Sequence, residues 1–109
     1  MVTQSQIQKL ANVVTKEANV VKLYLFGSYV NGSADENSDI DLLVVVKDDI
    51  DKNRRRHLMA SLNIKTIEEN LIFPKDLKIY SLKEFNNLKE DKFSFLHEIL
   101  KQAKQLYVG

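Results

Sequence analysis

The run Leu23–Val46, LYLFGSYVNGSADENSDIDLLVVV, decides the fold of this 109-residue chain. It begins inside a β-branched and aromatic segment, Val20–Phe26 (VVKLYLF), which reads as a strand stopped by Gly27. A polar stretch from Tyr29 to Ser38 follows, and two of the three glycines, Gly27 and Gly32, fall close together here. Then comes Asp39-Ile40-Asp41-Leu42-Leu43-Val44-Val45-Val46, almost wholly apolar after its two acids. Such a segment suits a central strand covered on both faces.

Working outward, residues 3–18 read as a helix, with Ile7, Leu10, Ala11, Val14 and Ala18 on one stripe. Thr3 followed by Gln6 fits a capping box at its start. On the other side, residues 49–70 read as a helix or a pair of helices through Leu58 and Leu62. The single Pro74 stops helical structure before a third strand, Lys75–Tyr80. Ser81 and Glu84 form a second capping box, opening a short helix to Leu88. A last helix is expected over 92–107, with Leu96, Ile99, Leu100, Ala103, Leu106 and Tyr107 on its apolar stripe. The order αβ(α)βαβαα gives one α/β (α+β) domain over residues 1–109, a small mixed sheet flanked by helices.

The second and third strands are joined by a long helical connection, which implies a parallel crossover. Parallel strands align their starts. Asp39 and Asp41 open one and Asp76 opens the other, so neighbouring strands would gather all three carboxylates at one sheet edge.

Composition narrows the chemistry further. Sixteen Lys and Arg against fifteen Asp and Glu leave a formal charge of +1, which gives no reason to expect nucleic-acid or membrane binding. The absence of Cys excludes disulfides, thiolate nucleophiles and Cys-ligated metals. Only His57 and His97 are present, so a His-rich metal site is also disfavoured. The start, Met1-Val2-Thr3-Gln4-Ser5-Gln6, lacks the basic and apolar pattern of a signal peptide, and a cytoplasmic location is expected. Chemistry here must rest on carboxylates, hydroxyls, lysines and backbone.

Asp39 and Asp41, two apart on a strand, leave the same face ~6–7 Å apart. Such carboxylates repel unless neutralised, and hard oxygen ligands at this spacing suit Mg²⁺. Gly27-Ser28 after a strand lets a phosphate approach backbone N–H groups and a hydroxyl closely. Each feature alone is commonplace. Gly-Ser, ten residues, then Asp-x-Asp arises by chance in only about one chain per thousand of this length.

That pattern on an apolar strand resembles the signature of the polymerase-β-like nucleotidyltransferases. The chain's size, its initial helix and its closing run FSFLHEILKQAKQLY make it similar to the minimal nucleotidyltransferase (MNT) group. That family places a third carboxylate on the next strand within a V-D-L-V context, where this chain has Lys75-Asp76-Leu77-Lys78-Ile79. Where many members carry an Arg soon after the Gly-Ser, this chain has Tyr29-Val30-Asn31-Gly32.

The resemblance implies two-metal nucleotidyl transfer: two Mg²⁺ on Asp39, Asp41 and Asp76, and ATP as donor, held by Gly27 and Ser28. It also implies a partner. The short chain has no obvious second domain to grip an acceptor, and in this family a HEPN-domain toxin is the partner, modified on a tyrosine hydroxyl by its antitoxin. A hetero-oligomer follows. The alternative is an antitoxin that neutralises the HEPN protein by contact without catalysis. A third reading, a subunit modifying a small molecule such as an aminoglycoside, usually requires a second helical domain.

Four weaker signals remain. Arg54-Arg55-Arg56 cannot share one helix face and suits a solvated, salt-bridged surface more than a partner patch. His57 and His97 read as structural or surface residues. Phe93 and Phe95 read as core, with a partner-facing apolar band as the sharper alternative. The acids Asp35, Glu36, Asp48, Asp49 and Asp51 read as solvated or capping groups.

Overall fold

Thr3 sets the first helix in a computed structural model that describes residues 1–109. Its hydroxyl accepts the Gln6 N–H and its own N–H donates to the Gln6 side chain, which completes the expected capping box. Helix α1 (Gln4–Glu17) buries Ile7, Leu10, Ala11 and Val14. Strand β1 (Val20–Phe26), the single turn α2 (Ser28–Asn31) and strand β2 (Ile40–Val46) follow. Asp35 folds the loop between α2 and β2: its side chain accepts the Asn37 N–H at 2.8 Å, and its N–H donates to Ser38 Oγ at 2.9 Å. Asp51 caps α3 (Lys52–Glu68) by accepting the Arg54 N–H at 2.7 Å.

After α3 come β3 (Lys75–Ser81), α4 (Leu82–Leu88), α5 (Phe95–Leu100) and β4 (Lys104–Val108). The sheet order is β3-β2-β1-β4. β1 runs antiparallel to both β2 and β4, whereas β2 and β3 are parallel, as the long crossover demands. One sheet face carries Leu23, Leu25, Leu42, Val44, Leu77 and Ile79 against α1 and α3, within a core of 16 buried residues. The other carries Phe26, Leu43 and Val45 against Phe85 of α4 and Leu96 of α5, a cluster of only five. β2 is therefore covered on both sides, which is why its sequence is so apolar.

The expected helix over 92–107 is corrected. Ser94 caps a helix that stops at Leu100, and residues 104–108 form β4 along the free edge of β1. Leu106 and Tyr107 thus leave the supposed stripe. β1 would otherwise expose a row of unpaired backbone groups, and pairing with Gln105, Tyr107 and Val108 satisfies them.

The Arg54–Arg56 run divides. Arg54 and Arg56 are exposed, while Arg55 reaches from α3 to the Ile79 carbonyl and to Glu84 Oε2 at 2.7 Å. Glu84 also accepts the Ser81 N–H, completing the second capping box. Burial pushes the Glu84 carboxyl up, but the hydrogen bonds from Arg55 and Ser81 and the Arg55 charge together hold it below its usual value. A depressed folded-state value adds stability above the ordinary Glu range, and that stability is lost as pH falls through it. Arg55→Ala is expected to cost about 1–2 kcal/mol at neutral pH, because two acceptors lose a charged donor at a partly exposed site. Denaturant melts at pH 7 and pH 4 check this, and the difference between wild type and variant should shrink at the lower pH. No helix is long and apolar enough to cross a membrane.

Candidate active site

Strand register builds the site. β2 and β3 pair Asp41 with Asp76 and Leu43 with Lys78, and β1 sets Phe26 opposite Asp41. Paired residues on neighbouring strands share a face, with backbones ~4.8 Å apart. Phe26, Asp41 and Asp76 therefore form one row across three strands, on the side covered by α4 and α5. Asp39, two before Asp41, has the same parity and stands just ahead of β2. The parallel crossover thus brings together the three acids singled out from sequence.

Asp41 is half-buried and Asp39 is exposed. Burial pushes the Asp41 carboxyl up, the Asp76 and Asp39 charges push it further, and Lys78 draws it back. Asp76 is held on its other side by Lys78, whose Nζ lies 3.2 Å from Asp76 Oδ2. A raised folded-state value means that ionising Asp41 opposes folding. The stability present below the ordinary Asp value is lost as pH rises through the raised value, so the penalty stands in full at pH 7. Asp41→Asn is accordingly expected to raise the metal-free Tm at pH 7 by roughly 2–4 °C, about 0.5 kcal/mol for a domain of this size. The gain should disappear when the melt is repeated near pH 4.

Gly27 abuts this row, with φ 77° and ψ −150°, a backbone conformation essentially confined to glycine. A Cβ built on it would collide with Asp41 Oδ2 and stand 3.2 Å from Asp41 Cγ. The sequence suggested that Gly27 admits a phosphate; the structure adds that it makes room for Asp41. Its carbonyl also accepts the Val30 and Asn31 N–H groups at 3.0 and 3.1 Å, fixing the α2 turn that begins at Ser28. Gly32, at φ 86°, ends that turn.

A groove of about 330 Å³ opens beside Gly27, between Phe26 and Asn31 on one side and Phe95, Glu98 and Ile99 of α5 on the other. That volume lies within the range of small-molecule sites. Phe95 meets Phe26 edge-on at 6.2 Å between centroids and remains half exposed, so it lines the groove rather than filling the core. Phe93 is fully exposed. Sequence reading missed the groove, because α5 reaches it only through tertiary packing. A larger cavity, about 430 Å³, lies near Met1, Tyr29, Asn70 and Phe73 and touches none of the three carboxylates. None of the three lines the groove either, but Phe26 and Gly27, the two residues set against Asp41, do, and that adjacency rather than size singles it out. His57 is exposed and His97 binds the Lys89 carbonyl at 2.8 Å, so neither joins the row.

Nowhere in the chain do three Asp, Glu or His side chains already stand at ligand spacing. The row is gathered but open. Mg²⁺ takes one or two carboxylates and completes its shell with water and substrate phosphates, so an open set of hard oxygens with an upshifted, crowded Asp41 fits it. The chain has no thiolate, and neither of its imidazoles joins the row to favour a softer metal.

Comparison with curated proteins finds no match. Among solved structures, one toxin–antitoxin with AMP-PNP is 24% identical, with a TM-score of 0.55, covering 99% of this chain and 75% of that one. A tri-AMPylated Shewanella oneidensis HEPN toxin in complex with MNT antitoxin matches at 21% identity and TM-score 0.54, covering 97% and 72%. A spectinomycin adenyltransferase from Enterococcus faecialis with ATP and spectinomycin matches at 23% and TM-score 0.65, covering 99% of this chain but 57% of that one. These likenesses share the fold. The family described as polymerase beta, nucleotidyltransferase matches residues 8–108, nearly the whole chain. With its sheet, its Gly-Ser turn and that match, the chain belongs to the polymerase-β nucleotidyltransferase family.

Proposed function

We propose that this chain transfers a nucleoside monophosphate, AMP from ATP, to a hydroxyl of a partner protein. The partner is a HEPN-domain toxin and the acceptor a tyrosine, which makes this chain the antitoxin of a cytoplasmic toxin–antitoxin pair. The carrying observation is the register that sets Asp41 against Asp76 on parallel strands, with the Gly27 backbone closed against Asp41. The AMPylated HEPN toxin found with an MNT antitoxin of this fold supports the choice of partner.

Asp39, Asp41 and Asp76 would hold Mg²⁺, with two ions expected. When bound, the ions neutralise the triphosphate and the departing pyrophosphate. The chain's own groups do the rest. The Gly27 N–H and the Ser28 hydroxyl donate to phosphate oxygens and fix the triphosphate against the sheet edge. Asp76 accepts the proton of the acceptor hydroxyl. That oxygen then attacks the α-phosphorus in line, the new O–P bond forms, and the bond to the β-phosphate oxygen breaks to release pyrophosphate. The groove between Phe26 and Phe95 offers apolar walls for the base.

The test co-expresses the chain with the product of its neighbouring gene and supplies Mg²⁺ and ATP labelled at the α-phosphate. Label should appear on the partner and vanish when Asp39→Asn and Asp41→Asn are combined. If the double variant still suppresses toxicity without label, contact alone suffices and transfer is not the antitoxin mechanism.

A further inference from the structure

Lys78 is the one cation whose ammonium reaches the acidic row. It follows Asp76 by two residues on β3, so both side chains leave the same sheet face. Its Nζ pairs with Asp76 Oδ2 at 3.2 Å and lies 5.8 Å from the centre of the Phe95 ring, within cation–π range. Phe95 in turn leans edge-on against Phe26, the β1 residue opposite Asp41. The ammonium is thus held between the third carboxylate and the aromatic wall of the groove. Its charge is also felt at Asp41, which it draws down.

Three carboxylates and one ammonium leave two excess negative charges, which a single divalent cation balances. A second divalent ion would meet an already neutral site with a fixed positive charge beside Asp76. A triphosphate changes this balance, because it brings several negative charges and gives the ammonium another partner.

Resting on the transfer function proposed for this site, we propose that Lys78 is a tethered counter-ion that changes partner. It holds Asp76 in the nucleotide-free protein and moves to a phosphate oxygen of the nucleoside triphosphate when that ligand enters. Lys78 is a positioning residue in the free protein and a ligand-binding residue in the loaded one. It makes full metal loading depend on nucleotide, because Asp76 is released to a metal ion only when the ammonium has somewhere else to go. The side chain suits such a move, being partly exposed and carried on a flexible stem.

The test uses the full chain and Mn²⁺ as the paramagnetic stand-in for Mg²⁺. Mn²⁺ binding is titrated by electron paramagnetic resonance, first without nucleotide and then with AMP-PNP. Lys78→Met removes the charge, Lys78→Gln removes it while keeping a polar tip, and Lys78→Arg keeps it. Without nucleotide, the two neutral variants should bind Mn²⁺ about tenfold more tightly than wild type, since a unit charge near a divalent ion repels it on that scale. At saturating Mn²⁺ they should bind AMP-PNP about tenfold more weakly. Lys78→Arg, which keeps the charge, should stay closer to wild type than either neutral variant in both titrations. Unchanged or weaker Mn²⁺ binding in both neutral variants, or unchanged AMP-PNP binding, overturns the role of Lys78 and leaves the transfer function intact. A wild-type chain that binds neither Mn²⁺ nor AMP-PNP overturns both.

Discussion

Combining Asp39→Asn with Asp41→Asn is expected to slow label transfer at least about a thousandfold, a loss on the order of 4 kcal/mol of transition-state stabilisation. Two of the three acids that would hold the metal ions become amides, which are neutral and weak ligands. The fold should survive. Asp39 is exposed, and Asp41 stands in a crowded acidic row where losing its charge relieves repulsion. Single-turnover transfer measured beside a thermal melt therefore separates two causes of inactivity. Lost transfer with an unchanged or higher Tm locates the defect in chemistry. Lost transfer with a collapsed Tm would mean that these acids serve the fold rather than hold metal.

Gly27→Ala is expected to be the most damaging single-methyl change in the chain. It places a Cβ in a backbone region that only glycine occupies readily and drives it into the Asp41 carboxylate. The backbone penalty alone is about 1–3 kcal/mol. The Asp41 carboxylate must also turn aside from its place in the row, so a total near 2–3 kcal/mol and a Tm loss of about 10 °C follow for a domain of this size. The surviving folded fraction should carry a displaced Asp41 and transfer poorly. Gly32→Ala is the control. It also has positive φ, but a Cβ there meets nothing within 4 Å. It should cost only about 1–2 kcal/mol and leave the rate of folded protein intact. Equal transfer by the two folded variants would remove the special link between Gly27 and Asp41.

Much of this architecture could be read from residue order alone, and the failures have physical causes. Strands β1 and β2 announce themselves through apolar, β-branched runs bounded by Gly27 and Asp39, and β3 through the helix stop at Pro74. The meeting of Asp41 with Asp76 follows from topology, because a helical crossover makes their strands parallel. β4 was hidden. Leu96, Ile99, Leu100 and Ala103 begin a helical period that Leu106 and Tyr107 continue by coincidence, while the open edge of β1 decides the outcome from far away in sequence. Arg55 was likewise illegible, since its partners Ile79 and Glu84 lie across the fold. Phe95 looked like core because aromatic residues usually are. Here it is spent on the wall of a groove.

The unequal division of the core has a bearing on timing. Sixteen buried residues bind α1 and α3 to one side of the sheet, whereas five secure α4 and α5 to the other. Free energy of local opening rises with buried apolar contact, so the α4–α5 layer separates from the sheet more cheaply and more often than the layer opposite. The carboxylate row rides on strands anchored from behind, while the aromatic wall facing it rides on the weaker layer. Under the transfer function proposed for this site, brief excursions of one side would admit and release the ligand without disturbing the acids.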